Sequence, residues 1–225
     1  MTMEPDEIEN PVVRKREALW LAQVAVVLVA LLQLTLGERF TLGPVWLAPL
    51  IESVLLVPLI ATTSFDHLVG THWRRATALA MIGVINASNF YALFTVVHRL
   101  LSGSKTTGVE LIYEAMKVWA TNMLLFALWY WELDRGGPGA RRLENTDPPD
   151  FLFPQMTVDV SEHCEPGWAP NFIDYLFVSF TNATAFSPTD TLPLRHRAKA
   201  LMMLQALISL ITLALVASRA VNILA

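Results

Sequence analysis

Five long apolar stretches leave this chain little choice of environment. Ala18 to Leu36, Pro44 to Phe65, Ala76 to Leu101 and Val109 to Leu133, with a fifth from Ala198 to Leu224, match the roughly 20 helical residues that cross a bilayer core of about 30 Å. In lipid a segment must satisfy its own backbone N–H and C=O groups, so each stretch is expected to be a helix. Composition agrees. The chain is 54% hydrophobic and 16% charged, with a mean hydropathy of +0.45, whereas soluble domains carry about a quarter charged residues. The expected fold class is an all-α integral membrane protein with five transmembrane helices in one bundle. The first stretch, "ALWLAQVAVVLVALLQLTL", is too long for the apolar region of a secretory signal and no small-residue cleavage site precedes "GERF", so it is expected to remain as a span.

Basic residues suggest the orientation. If the N-terminus is cytoplasmic and the spans alternate, Arg14, Lys15, Arg16, Arg74, Arg75, Arg135, Arg141, Arg142, Arg195, Arg197 and Lys199 share the inner side. Only Arg39, Arg99, Lys105 and Arg219 fall outside, with Lys117 within a span. The positive-inside tendency then makes residues 1–17 a cytoplasmic tail, 18–133 a four-helix transmembrane region and 134–168 a polar loop. The last span, 194–225, ends outside.

Polar residues within the spans need a reason to be there. Gln33, Asn86, Ser88, Asn89, Thr121, Asn122, Gln205, Ser209 and Thr212 are read as hydrogen-bonding contacts between helices. Three ionisable residues are sharper. Glu52 lies between Pro49 and Pro58, which bend a helix and free backbone carbonyls. Glu114 and Lys117 stand at i and i+3, a spacing that lets them pair; Lys117 is also near enough to the helix start to snorkel. All three are candidates for an ion or proton role. Trp129, Tyr130 and Trp131 read as an interfacial aromatic belt, followed by a helix break at "GGPG" with Glu132, Asp134 and Arg135 as a surface cluster. The loop segment "DFLFPQMTVDV" is apolar enough to lie on the membrane surface or fold as a hairpin. Cys164 is the sole cysteine, which excludes an internal disulfide. With His163 beside it but no further Cys or His near, the loop is read as solvated, with no metal or other cofactor expected.

The stretch 169–193 is different. Pro170 suits a first helical turn, and "NFIDYLFVSFTN" supplies about 12 helical residues, roughly 18 Å, which is only part of a bilayer. Pro188 and Pro193, interleaved with Thr184, Ser187, Thr189 and Thr191, then forbid a continuing helix. The order is partial helix, polar extended return, full helix: a re-entrant, pore-type half-helix between the fourth and fifth spans. Such backbone is tolerated at membrane depth only when buried in protein or lining water. Ser179, Thr181, Asn182, Thr184, Ser187 and Asp190 are the candidate ion-pathway residues. Asp190 is expected to be held by its own turn, with Arg195 or Arg197 as a charge partner.

From Trp119 to Leu224 the chain resembles the two-helix pore domain of the potassium channel superfamily, with "SFTNATAFSPTDTLP" laid out like its filter segment. The resemblance implies monovalent cations as ligands and a homo-oligomer, a tetramer, around a central axis. Thr184, Ala185 and Phe186 stand in the glycine and aromatic places, so the glycine-dependent filter geometry is missing. Potassium channels also place this loop on the outer face, whereas the basic residues put it inside. The C-terminal pattern Ser-Phe-Thr, Ser-x-x-Asp, Asn-x-Leu more closely resembles a group of uncharacterised bacterial multi-pass membrane proteins, which implies a cell inner membrane. No nucleophile elbow, phosphate loop, dinucleotide fingerprint or zinc helix occurs. The expectation is therefore a lipid-embedded protein, neither an enzyme nor a nucleic-acid binder, acting as a weakly selective ion channel or transport subunit. The other reading is a non-conducting scaffold or partner-binding subunit.

Overall fold

The computed structural model describes residues 20–54, 71–102, 107–142, 148–157, 168–184 and 191–224. Its helices are α1 (Trp20–Leu34), α2 (described over 47–54), α3 (Thr71–Leu101), α4 (Gly108–Leu133), a single turn α5 (Pro138–Arg142), α6 (Phe172–Thr184) and α7 (His196–Leu224). Three of them, α3, α4 and α7, are long and apolar enough to cross a membrane. The described part of α1 has 15 residues, about 22 Å of helix, and the start of its apolar run, at Ala18, lies outside the described residues. The second apolar stretch enters the described residues only as α2.

α4 is the hub, in contact with α1, α3, α6 and α7. Its start is set locally: Thr107 is extended, and its hydroxyl accepts the Glu110 backbone N–H at 3.2 Å, the first half of a capping box. Its end is set by conformation. Arg135 adopts φ +50°, Gly136 +79° and Gly137 +91°, values that terminate a right-handed helix. At Gly137 a Cβ would stand 2.9 Å from Glu132 Oε1 and 3.0 Å from the Glu132 carbonyl oxygen, so only glycine lets the chain fold back over Glu132.

That end of α4 departs from the sequence expectation. Tyr130, Glu132 and Asp134 are fully buried and Trp131 nearly so; they form neither an interfacial belt nor a surface cluster. The reason is the loop that follows. Phe151 and Phe153 insert between α4 and α6, where Phe151 meets the Tyr130 ring edge-on at 5.1 Å and Phe153 meets the Tyr175 ring at 5.3 Å. Edge-to-face rings at these separations attract through their quadrupoles. The described part of the segment therefore packs into the bundle through Phe151 and Phe153, and its strand pairs with residues before α7. Phe151–Leu152 (β1) pairs antiparallel with Leu192–Pro193 (β2), Phe151 opposite Pro193 and Leu152 opposite Leu192.

Charges lock this joint. Asp150 is fully buried, and both its oxygens accept from Arg197 of α7 (Nε and Nη2, each at 2.6 Å) in a two-pronged fork. The Asp150 N–H donates to Asp134 Oδ1 at 2.7 Å, and Tyr175 donates its hydroxyl to Asp134 Oδ2 at 2.6 Å. Arg141 donates to the carbonyls of Trp131 and Asp134, both at 2.8 Å, under the face of Tyr175. Arg197 is thus taken by Asp150, and Asp190, for which the sequence suggested it, lies outside the described residues.

α6 and α7 both run antiparallel to α4. Along α6, Tyr175 bonds Asp134, Ser179 bonds Met123 and Ala183 meets Trp119. The chain is back at the Asp134 end by Leu194, whose N–H donates to the Asp150 carbonyl at 2.8 Å. We expect Arg197→Ala to leave a buried carboxylate unpaired and to lower stability by about 3 kcal/mol. Arg197→Lys, which keeps the charge but not the fork, should cost about 1 kcal/mol. Thermal unfolding in mild detergent checks both values and their order.

Candidate functional site

Between α4, α6 and α7 the polar residues converge on Gln205. Its amide is fully buried. Gln205 Nε2 donates to the Ser179 hydroxyl at 2.7 Å and to the Ser179 carbonyl at 2.9 Å. Gln205 Oε1 accepts the Tyr130 hydroxyl at 2.5 Å and the Asn182 amide at 2.8 Å. Ser179 donates its own hydroxyl to the Met123 carbonyl at 2.6 Å, and Asn182 also donates to the Met202 carbonyl at 2.9 Å. One turn further along α7, the Ser209 hydroxyl accepts from Asn122 at 3.1 Å. Every helix of the trio contributes donors and acceptors, and in surroundings that exclude water each such bond spares a costly orphan. The lattice therefore fixes both the depth and the rotation of the short helix α6.

Ser179 and Asn182 are the two candidate residues that this lattice brings together. Thr181 and Thr184 point elsewhere: Thr181 donates its hydroxyl to the carbonyls of Phe177 and Val178 in its own helix, and Thr184 donates to Thr181. Ser187 and Asp190 lie outside the described residues, as do His163 and Cys164. The sequence placed Gln205 only as helix glue and Tyr130 only as an anchor. Their spacing from Ser179 along the chain carries no hint of the meeting, since it is long-range.

A second polar group gathers at the other end of α4, around the end of α1. Lys117 Nζ donates to Glu114 Oε1 and to the Thr35 carbonyl, both at 2.7 Å. The i, i+3 pair permitted by the spacing is present, and it ties α4 to the exposed carbonyls at the end of α1. Nearby, Gly37 comes close enough that a Cβ there would lie 3.7 Å from Glu114 Oε1. Glu52 is fully buried on α2. Trp20, Trp46 and Trp73 are exposed. Among the described residues no group of three or more His, Cys, Asp or Glu is placed to hold a metal ion.

Comparison with protein-family models, curated proteins and solved structures finds no match to this chain.

Gln205→Leu keeps roughly the size of the side chain but takes away the acceptor of the Tyr130 hydroxyl proton, leaving that hydroxyl only the Asn182 amide as a donor to its oxygen, and removes two bonds to Ser179. A loss of about 1–2 kcal/mol is expected. Thr181→Val removes only a bond within one helix and should stay within about 0.5 kcal/mol. Urea or thermal unfolding in detergent, with the two variants side by side, tests the difference.

Proposed function

We propose that this is a multi-pass protein of a bacterial inner membrane whose C-terminal half forms a pore-type unit. In this reading α4 is the outer helix, α6 a re-entrant half-helix and α7 the inner helix. The unit would work as a weakly selective ion channel or transport subunit for monovalent cations. One observation carries the reading: α6 starts at the Asp134 end of α4 and the chain is back at that end at Leu194, while 13 helical residues reach only about 20 Å. A half-helix that goes in and a chain that returns on the same side is the layout expected of a pore loop. Five crossings and a central axis shared by four copies belong to the same reading.

A second reading is supported by the lattice itself. Ser179 and Asn182 spend their hydrogen bonds on Gln205, Met202 and Met123, and the glycines of a carbonyl-lined filter are missing from the segment that follows. Both features suit a non-conducting scaffold that keeps the shape of a pore domain.

Reconstitution into liposomes separates the two. A channel should give protein-dependent flux of monovalent cations and behave as a tetramer in nanodiscs. No flux for any common ion across a range of pH and voltage, with a partner protein co-purifying, would establish the scaffold. Labelling Cys164 in intact cells with an impermeant thiol reagent reports the side of the 134–168 loop: protection is expected if that loop is cytoplasmic.

A further inference from the structure

Glu52 has no partner. Its side chain is fully buried, yet neither carboxyl oxygen has a hydrogen bond, and no described cation pairs with it. The Gln33 amide of α1 faces it. Gln33 is itself 3% exposed, and the two groups fall short of hydrogen-bond geometry, so four polar atoms meet between α1 and α2 unbonded. The charges that α4 brings to the same end of α1 are already committed, because Lys117 is held by Glu114 and by the Thr35 carbonyl. Beside Gln33 opens a cavity of about 10 Å³, lined also by Thr41, Pro44, Ala48 and Ser88, with room for about one water.

The chemistry of the pair follows from these positions. An ionised carboxylate in this place would give up its hydration and receive nothing in return. A carboxylic acid gives up far less, and it complements a primary amide atom for atom. Its hydroxyl can donate to the Gln33 carbonyl while its own carbonyl accepts a Gln33 N–H. We propose that Glu52 and Gln33 form a proton-binding site within the bundle, with the proton carried on the Glu52 carboxyl at neutral pH and exchanged with water through the cavity beside Gln33. Loss of the proton leaves a buried, unpaired anion, so occupancy of the site is linked to how α2 packs on α1. The proposal stands independently of whether the C-terminal half conducts.

Infrared spectroscopy of the protein in lipid nanodiscs tests it, because the C=O stretch of a protonated carboxyl is separate from the bands of carboxylates. At neutral pH the wild type should show an acid band that moves to lower frequency in D₂O. Glu52→Gln should remove that band, Glu114→Gln should leave it, and Gln33→Leu should raise its frequency by removing the amide partner. Absence of any acid band in the wild type overturns the proposal, and that measurement needs no variant to fold. Survival of the band in Glu52→Gln assigns the proton elsewhere and also overturns it. A band unmoved by D₂O rules out exchange with water, and one unmoved by Gln33→Leu rules out the pairing.

Discussion

The fork between Asp150 and Arg197 joins parts of the chain that lie far apart in sequence. Asp150 follows the break after α4, and Arg197 opens α7; bringing them together closes a ring that contains all of α6. A carboxylate with no exposed surface demands a partner that can satisfy both oxygens, and a guanidinium does this in one plane. Once the fork is made, β1 and β2 lie side by side, the Asp150 N–H reaches Asp134, and Asp134 in turn orients Tyr175 at the start of α6. The aromatic plug of Phe151 and Phe153 sits in the space these contacts define. A salt bridge whose carboxylate is buried does more to specify an arrangement than to stabilise it, because desolvation of that carboxylate offsets much of the attraction. Here the arrangement specified is where α6 begins.

How α6 sits along α4 and α7 is decided differently. Below the charged joint there is little hydrophobic drive between helices, since lipid tails are as apolar as leucine, and packing and hydrogen bonds must distinguish one depth from another. Gln205 supplies two donors and an acceptor that takes two bonds, and it fills all of them with Ser179, Tyr130 and Asn182. Sliding α6 by one turn would break this set at once. The described length of α6 is thus held near both its ends, by Asp134 at Tyr175 and by Gln205 at Ser179 and Asn182.

The polar groups at the other end of α4 form a contrast with this lattice. Glu114 is matched by a lysine and that lysine by a backbone carbonyl, so this pair has the features of a structural tie between α1 and α4. Glu52 and Gln33 are equally buried but unmatched. Native interiors leave few polar atoms in that condition, and those that remain call for an explanation in terms of a bound species or a strained state.

The sequence by itself determined that the chain is helical and made for a bilayer, because apolar run length and backbone satisfaction in lipid are local properties. It also determined that Glu114 and Lys117 pair, since i, i+3 neighbours face one another on any helix. Only the tertiary structure decided what Tyr130, Trp131, Glu132 and Asp134 do. An aromatic and acidic run at the end of an apolar stretch reads as an interface, and nothing local reveals that Phe151 and Phe153 return to cover it. The same holds for the choice of Asp150 as the partner of Arg197 and for the meeting of Gln205 with Ser179. These contacts join residues 47 and 26 positions apart, and at that range the partner is set by how the helices pack around α4.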